Sequence, residues 1–188
     1  AIHMDSSVFV AWASGCSIVQ EYQDISTPSA GYANVGDNTM GIGMAGVNGT
    51  VSLGDGGNAI LTFDSPIING PGADFAVFEN SFSDDFLELA FVEVSSDAIN
   101  FFRFPAISNT QDDVQMGSFD LIDATKLNNL AGKYRYGYGT PFDLQELNGT
   151  IGLNINAITH VRIIDVVGNI NPLYARYDSQ GNKVNDPW

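Results

Sequence analysis

The chain has 188 residues, 44% of them hydrophobic, and a formal net charge of −15. All seven Lys and Arg residues lie at or after Arg103, so the chain lacks the basic patches that nucleic-acid binding needs. A single cysteine, Cys16, excludes an internal disulfide, and no apolar run approaches the roughly 20 residues of a membrane span.

The predicted elements are short strands separated by clusters of Gly, Asn, Asp and Pro. Residues 1–4, Ala-Ile-His-Met, are interpreted as a cloning remnant, which leaves residues 5–188 as one domain. The predicted strands, in chain order, are 8–13, 50–53, 59–63, 74–78, 87–94, 101–104 and 159–167. This pattern predicts an all-β fold, a single β-sandwich of the jelly-roll type.

Turns and short helices complete the predicted fold. The tight hairpin turn after the fifth predicted strand places Ala98 where a glycine is easier. Two short helices are predicted in the long connection 105–158: one at 124–131, capped by Asp123, and one at 140–147. We expect this connection to cross one end of the sandwich, where long loops often carry binding sites.

Three carboxylates extend the apolar faces of predicted strands. Because side chains alternate across a strand, Glu79, Glu93 and Asp165 each share a face with hydrophobic neighbours. A buried carboxylate is costly unless a metal ion, an arginine or backbone N–H groups offset its charge. Arg103 and Arg162 lie in predicted strands and provide one solution, and calcium is the other.

Calcium is the candidate cofactor, because it binds oxygen ligands and further oxygens surround Glu79. The candidate calcium ligands are Asp74, Glu79, Asn80, Asp84, Asp85, Glu93 and Asp165. No contiguous loop matches a strong motif such as the EF-hand. Softer metals lack ligands, since His3 lies in the remnant and His160 is the one native histidine.

Aromatic residues in the second half of the chain form a candidate ligand-binding surface. Three tyrosines alternate with small or charged residues between Tyr134 and Tyr138. Rings with polar tips are suited to stacking on a sugar or on a flat macrocycle, although the same rings can also cover a core beneath a loop. The candidate ligand-binding residues are Tyr134, Arg135, Tyr136, Tyr138, Tyr174, Tyr177 and Trp188.

Catalysis is the rival to binding. His160 lies within a regular strand pattern, and no nucleophile motif of the G-x-S-x-G type accompanies it, which disfavours a serine triad. A pair of carboxylates drawn from Glu79, Glu88 and Glu93 is chemically able to cleave a glycoside, but abundant acidic residues make such a pair expected by chance. We therefore expect a binding module that is not an enzyme. A glycan-cleaving enzyme and a structural or adhesive protein remain the alternatives.

Four segments resemble a known family. They are VSLGDGG at 51–57, GADFAVFEN at 72–80, ELAFVEVSSD at 88–97 and HVRIIDVVG at 160–168. Over nearly its whole length the chain resembles a family of bacterial secreted and cell-surface proteins best known from Bacteroidetes. The resemblance implies a location outside the cell or on the exterior of the outer membrane. It also implies an extracellular small molecule or a glycan as partner.

Some members of this family resemble accessory surface proteins whose genes accompany those for vitamin B12 uptake. That likeness implies capture of a corrinoid, with an outer-membrane transport complex as a further partner. Family members continue beyond the motif Asn185-Asp186-Pro187 with a last strand of the Phe-Asp-Leu-Asp type, whereas this sequence stops at Trp188. We therefore expect an open sheet edge that can pair with another chain.

Overall fold

The computed structural model describes residues 1–187, and its regular structure is nearly all β. The strands are β1 (Ile2–His3), β2 (Gly15–Val19), β3 (Asn58–Ile67), β4 (Phe75–Val77), β5 (Ala90–Ser95), β6 (Phe102–Arg103), β7 (Ile107–Ser108), β8 (Leu127–Asn128), β9 (Tyr138–Phe142) and β10 (Ile158–Asp165). Short 3-10 turns occupy Pro28–Ala30, Ala124–Lys126 and Leu144–Leu147. The predicted all-β class is confirmed.

Two antiparallel sheets face each other. The larger has the order β2-β3-β10-β5-β6, and the smaller has the order β1-β9-β4. One hydrophobic core joins Val94 and Val161 of the larger sheet to Val77 and Phe142 of the smaller. The sandwich that the sequence predicts is therefore present, and its interior lies on the face of the larger sheet that carries Val94 and Val161.

A second core covers the opposite face of the larger sheet. Phe91 and Ile164 point there, and they pack with Ile122, Leu127 and Leu130 from the long connection. The expected course of that connection over one end of the sandwich is therefore wrong for this part. An apolar outer face at β5 and β10 needs a cover, and the connection supplies it.

Several predicted elements differ in detail. Residues 8–13 and 50–53 are in no strand, while β2 and β9 were not predicted. The predicted helix at 124–131 is a three-residue 3-10 turn followed by β8, although Asp123 does cap it by accepting a hydrogen bond from the Thr125 N–H. Tertiary pairing outweighs local propensity in such short segments.

The residues set aside as a remnant take part in the fold. Ile2 pairs with Gly139 and His3 with Tyr138, so β1 forms one edge of the smaller sheet. β9 contains Pro141. At this position β9 pairs with β4 on one side only, because its pairing with β1 ends at Gly139, so the missing N–H of the proline is tolerated. Within residues 1–187, no helix has the length and apolar character needed to cross a membrane.

Candidate functional site

A cavity of about 710 Å³ lies between the two sheets, beside the packed core. Its floor is the inner face of the larger sheet, and the side chains there are Cys16, Ile18, Ala59, Leu61, Val161 and Ile163. The lining also includes the exposed residues Asn80 and Tyr136, so the cavity reaches the surface. Its volume falls within the roughly 300–1,000 Å³ typical of small-molecule sites.

Three aromatic rings line the cavity and contact one another. The ring centroids of Phe9 and Trp12 are 5.1 Å apart, those of Phe9 and Phe78 5.6 Å, and those of Trp12 and Phe78 5.5 Å. We call these three residues the aromatic cluster. Each ring is partly exposed, so the cluster presents aromatic surface to the cavity. Met40 and Met44 extend this apolar wall.

Five carboxylates also line the cavity, and we call them the acidic cluster. They are Asp55, Glu79, Glu88, Asp165 and Asp186. Two hydrogen bonds bring four of them together in two pairs. The Gly56 N–H, next to Asp55, donates to Asp165 Oδ2 at 3.3 Å, and the Leu89 N–H, next to Glu88, donates to Asp186 Oδ2 at 2.8 Å. Distant segments of the chain thus converge on one site.

Asp186 is the most deeply placed member of the acidic cluster. It is 2% exposed, and its Oδ1 atom has no hydrogen-bond partner among the described residues. Its neighbour Asn185, by contrast, is fully bonded, because its amide donates to the carbonyls of Gln111 and Val114 and its oxygen accepts from the Met116 N–H. A buried carboxylate oxygen without a donor costs free energy, so Asp186 Oδ1 is an acceptor beside the cavity that an added donor would stabilise.

The environment of the acidic cluster raises the pKa values of its carboxyl groups and so favours their protonated forms. Burial, together with the charge of Glu88, raises the pKa of Glu79 to about 7, and burial raises the pKa of Asp55 to about 6. Burial, with the charges of their acidic neighbours, holds the pKa values of Asp165 and Asp186 well above the ordinary range. No Lys, Arg or His is among the described lining residues.

Protein surrounds Asp165 on nearly all sides, yet part of its surface is accessible. These two observations agree because the accessible part faces the cavity. Glu88 is exposed for the same reason, and burial nevertheless raises its pKa. Asp165 is therefore largely shielded from bulk solvent, and both side chains are accessible from the cavity.

The structure separates the seven predicted calcium ligands. Glu79, Asn80 and Asp165 line the cavity. Asp74 instead accepts hydrogen bonds from the backbone N–H groups of Gly70, at 2.6 Å, and Leu144, at 2.8 Å. Within residues 1–187, no group of three or more His, Cys, Asp or Glu side chains has an arrangement suited to a metal ion.

Glu93 has the arginine partners that the sequence offered as the alternative to calcium. Its Oε1 accepts from Arg103 Nε at 2.9 Å, and its Oε2 accepts from Arg162 Nε at 2.8 Å and from Arg162 Nη2. The two remaining predicted ligands lie in the loop after Glu79. Asp84 forms an ion pair with Arg135 at 3.5 Å, and Asp85 accepts from the Ser83 hydroxyl at 2.6 Å.

The predicted aromatic surface is also divided. Tyr136 lines the cavity, and its hydroxyl packs against Gly46 so closely that a Cβ there would lie 2.4 Å away. Tyr138 packs edge-on against His3 at 5.0 Å, and Lys133 lies 5.8 Å from the ring of Tyr134. The remaining candidate residues are Arg135, Tyr174, Tyr177 and Trp188.

Three further candidates, Arg135, Tyr174 and Tyr177, lie outside the cavity lining. Arg135 pairs with Asp84, and Tyr177 bridges to Lys183 in the C-terminal segment, where Tyr174 also lies. Trp188 lies outside the described residues. Tyr136 is thus the predicted tyrosine that the structure brings to the cavity.

Sequence reasoning missed much of the site. Phe9 and Trp12 were assigned to a strand, and Glu88 was considered only as a member of a catalytic pair. Asp55 and Asp186 were noticed only within the segments GDGG and Asn-Asp-Pro. The sequence offers one local sign of these two residues: Asp55 lies between glycines and Asp186 precedes a proline. That pattern more often marks a turn than a binding site.

Comparisons of the chain with family models, with curated proteins and with solved structures found no significant match. The resemblance to bacterial cell-surface proteins therefore stays a prediction, and the case for function depends on the cavity.

Proposed function

We propose that the chain is an extracellular ligand-binding domain that holds a small molecule in the cavity and performs no covalent chemistry on it. One observation carries this proposal. A single cavity of about 710 Å³ joins an aromatic cluster to carboxylates that lack cationic partners in its lining. Concave, mostly apolar sites with a few convergent polar groups are typical of small-molecule binding.

A glycan fits this cavity better than a corrinoid does. Sugar rings stack on aromatic side chains, and sugar hydroxyls can donate to carboxylates such as Glu79 and Asp186. A corrinoid macrocycle with its nucleotide tail would leave part of itself outside a cavity of this size. Its amide groups could still contact the exposed rim, which includes Tyr136.

A glycan-cleaving enzyme is the second candidate. Glu79, whose pKa burial raises to about 7, suits a general acid, and the charge of Glu88 contributes to that shift. A smaller cavity of about 100 Å³ is lined by both residues. Glu93 does not belong to this pair, because its two arginines hold it on the outer face.

The test is a calorimetric titration of the chain with cyanocobalamin and with a glycan panel, combined with product analysis. We expect a ligand whose affinity falls at least tenfold in Trp12→Ala and is unchanged in Tyr177→Ala. The second variant is a matched control, because Tyr177 is an aromatic residue outside the cavity lining.

The opposite pattern, with loss in Tyr177→Ala alone, would move the site to the C-terminal tyrosines. Release of free sugar by the wild type, abolished in both Glu79→Gln and Glu88→Gln, would establish the enzyme instead. No binding by any compound in the panel would favour a structural or adhesive role.

Calcium binding remains a separate proposal, supported by Glu79, Asn80 and Asp165 in the cavity wall. A ligand that binds only the folded state raises the melting temperature. We expect calcium to raise the melting temperature and EDTA to lower it if the ion occupies this site. An unchanged melting temperature in both conditions would rule the ion out.

A further inference from the structure

The charge of the cavity narrows the class of ligand. Resting on the proposed binding function, we propose that the ligand is an organic cation: a protonated amine attached to an apolar or ring-shaped body. The amine would lie against the acidic cluster, and the body would lie against the aromatic cluster.

The acidic cluster differs from Glu93 in that its negative charge is not balanced by arginines. Glu93 is buried, as are Asp55 and Asp186 of the acidic cluster, but Arg103 and Arg162 both contact it. The acidic cluster has five carboxylates and no cation among the described lining residues, and Arg176 influences only the Asp55 end. A ligand that brings one positive charge removes much of the mutual repulsion, whereas a neutral ligand leaves it in place.

Asp186 has a hydrogen-bonding requirement that a cationic ligand can meet. Its Oδ1 atom is buried and unpartnered, while its Oδ2 atom is held by the Leu89 N–H. A primary ammonium group presents three N–H donors, and a charge-assisted hydrogen bond to a carboxylate is about twice as strong as a neutral one. The ammonium can satisfy Asp186 Oδ1 and still donate to a second carboxylate such as Asp165 or Glu88.

The shape and lining of the cavity favour an organic ligand over a bare ion. A metal ion would use the carboxylates and leave the aromatic cluster and the apolar sheet floor, including Leu61 and Ile163, without a partner. An organic body buries that surface, and a cation near an aromatic face gains further electrostatic attraction. The volume of the cavity also far exceeds that of one ion.

The test uses three compounds of similar size: 2-phenylethylamine, 2-phenylethanol and phenylacetate. Glucosamine and glucose form a second pair, so the body can be either an aromatic ring or a sugar. In calorimetric titrations at pH 7.5 we expect the amine of at least one pair to bind at least tenfold more tightly than its neutral counterpart. Phenylacetate should not bind.

Two variants assign the effect to the site. We expect Asp186→Asn to lower amine affinity at least tenfold and to leave the affinity for the neutral compounds unchanged. Asp64→Asn is the matched control, since Asp64 is exposed, lies in β3 and is not part of the cavity lining. Its affinity for the amine should equal that of the wild type.

A second readout needs no variant. An ammonium group must ionise carboxylic acids of the cluster, so binding should release protons between pH 6 and 7. The groups that face the bound amine are Asp55, Glu79, Glu88, Asp165 and Asp186. Proton release makes the apparent binding enthalpy differ between phosphate and ACES buffers, which have different ionisation enthalpies.

The outcomes separate this inference from the proposed function. If neutral sugars, phenylethanol or cyanocobalamin bind as tightly as the amines, the cation inference is wrong and the binding function stands. If calcium alone occupies the site and prevents amine binding, the inference is also wrong. If no compound in the combined panel binds, both proposals are overturned.

Discussion

The two faces of the larger sheet surround their carboxylates with opposite charges. On the outer face, Glu93 lies between its cross-strand neighbours Arg162 of β10 and Arg103 of β6. On the inner face, Asp165 at the end of the same β10 strand faces a cavity and acidic neighbours. A carboxylate that is compensated within the fold serves stability, whereas one that is not compensated favours a ligand.

The uncompensated carboxylates of the inner face should have the largest effect, a fall in stability as pH rises. Folded-state pKa values of about 7 for Glu79 and about 6 for Asp55 exceed their ordinary values of 4.5 and 3.8. Their contribution to stability is therefore complete below the ordinary pKa values and is lost as pH rises towards 7. With Asp165 and Asp186 added, we expect the free energy of unfolding to fall by more than about 5 kcal/mol between pH 4.5 and 8.

Urea unfolding of the ligand-free chain across this pH range measures the effect. Asp165→Asn should reduce the slope, and the exposed control Asp64→Asn should leave it unchanged. A free energy of unfolding that rises between pH 4.5 and 8 would contradict the assignment of these carboxylates as uncompensated.

The next largest effect should come from the outer face. Replacing Glu93 by Gln leaves two arginines without their carboxylate in a partly buried site, where their side chains are 30% and 40% exposed. We expect the free energy of unfolding to fall by about 3 kcal/mol, less than for a fully buried pair because of this exposure. Urea unfolding at pH 7.5 checks it. A loss below about 1 kcal/mol would mean that the pair contributes little to stability.

The equivalent change on the inner face should have the opposite sign. In Glu79→Gln the amide oxygen can still accept the hydrogen bond from the Ser81 N–H, and a charge close to Glu88 is removed. We expect a gain of about 2 kcal/mol at pH 8 and no gain at pH 4.5, where Glu79 is already protonated. Thermal unfolding at both pH values measures it. Equal gains at both would show that charge is not the cause.

The smallest effect should arise at a turn remote from both faces. Ala98 has a φ of 65°, in the left-handed region that an alanine adopts at a cost. Ser95 Oγ and Asp97 Oδ1 hold this turn by accepting backbone N–H hydrogen bonds. We expect Ala98→Gly to stabilise the fold by about 0.5 to 1 kcal/mol and to leave ligand affinity unchanged. A lower melting temperature would contradict the strain assigned to this turn.

Local patterns predicted the features that depend on neighbouring residues. Strand alternation identified Glu79, Glu93 and Asp165, since adjacent side chains must point to opposite faces. The prediction that Ala98 occupies a turn position better suited to glycine is also correct, because the backbone angle φ at a tight turn depends on neighbouring residues. The helix predicted at 124–131 failed because packing against the second core outweighed a weak propensity.

The sequence by itself determined an all-β chain with too many carboxylates on apolar faces. Only the tertiary structure decided that Glu93 meets two arginines while Asp165 meets Asp55 and Asp186. Gly56, beside Asp55, is 109 residues from Asp165 along the chain, and no local pattern encodes their contact. The physical reason is that a carboxylate's free energy depends on which charges and donors surround it, and strand register and loop closure set those over long distances in sequence.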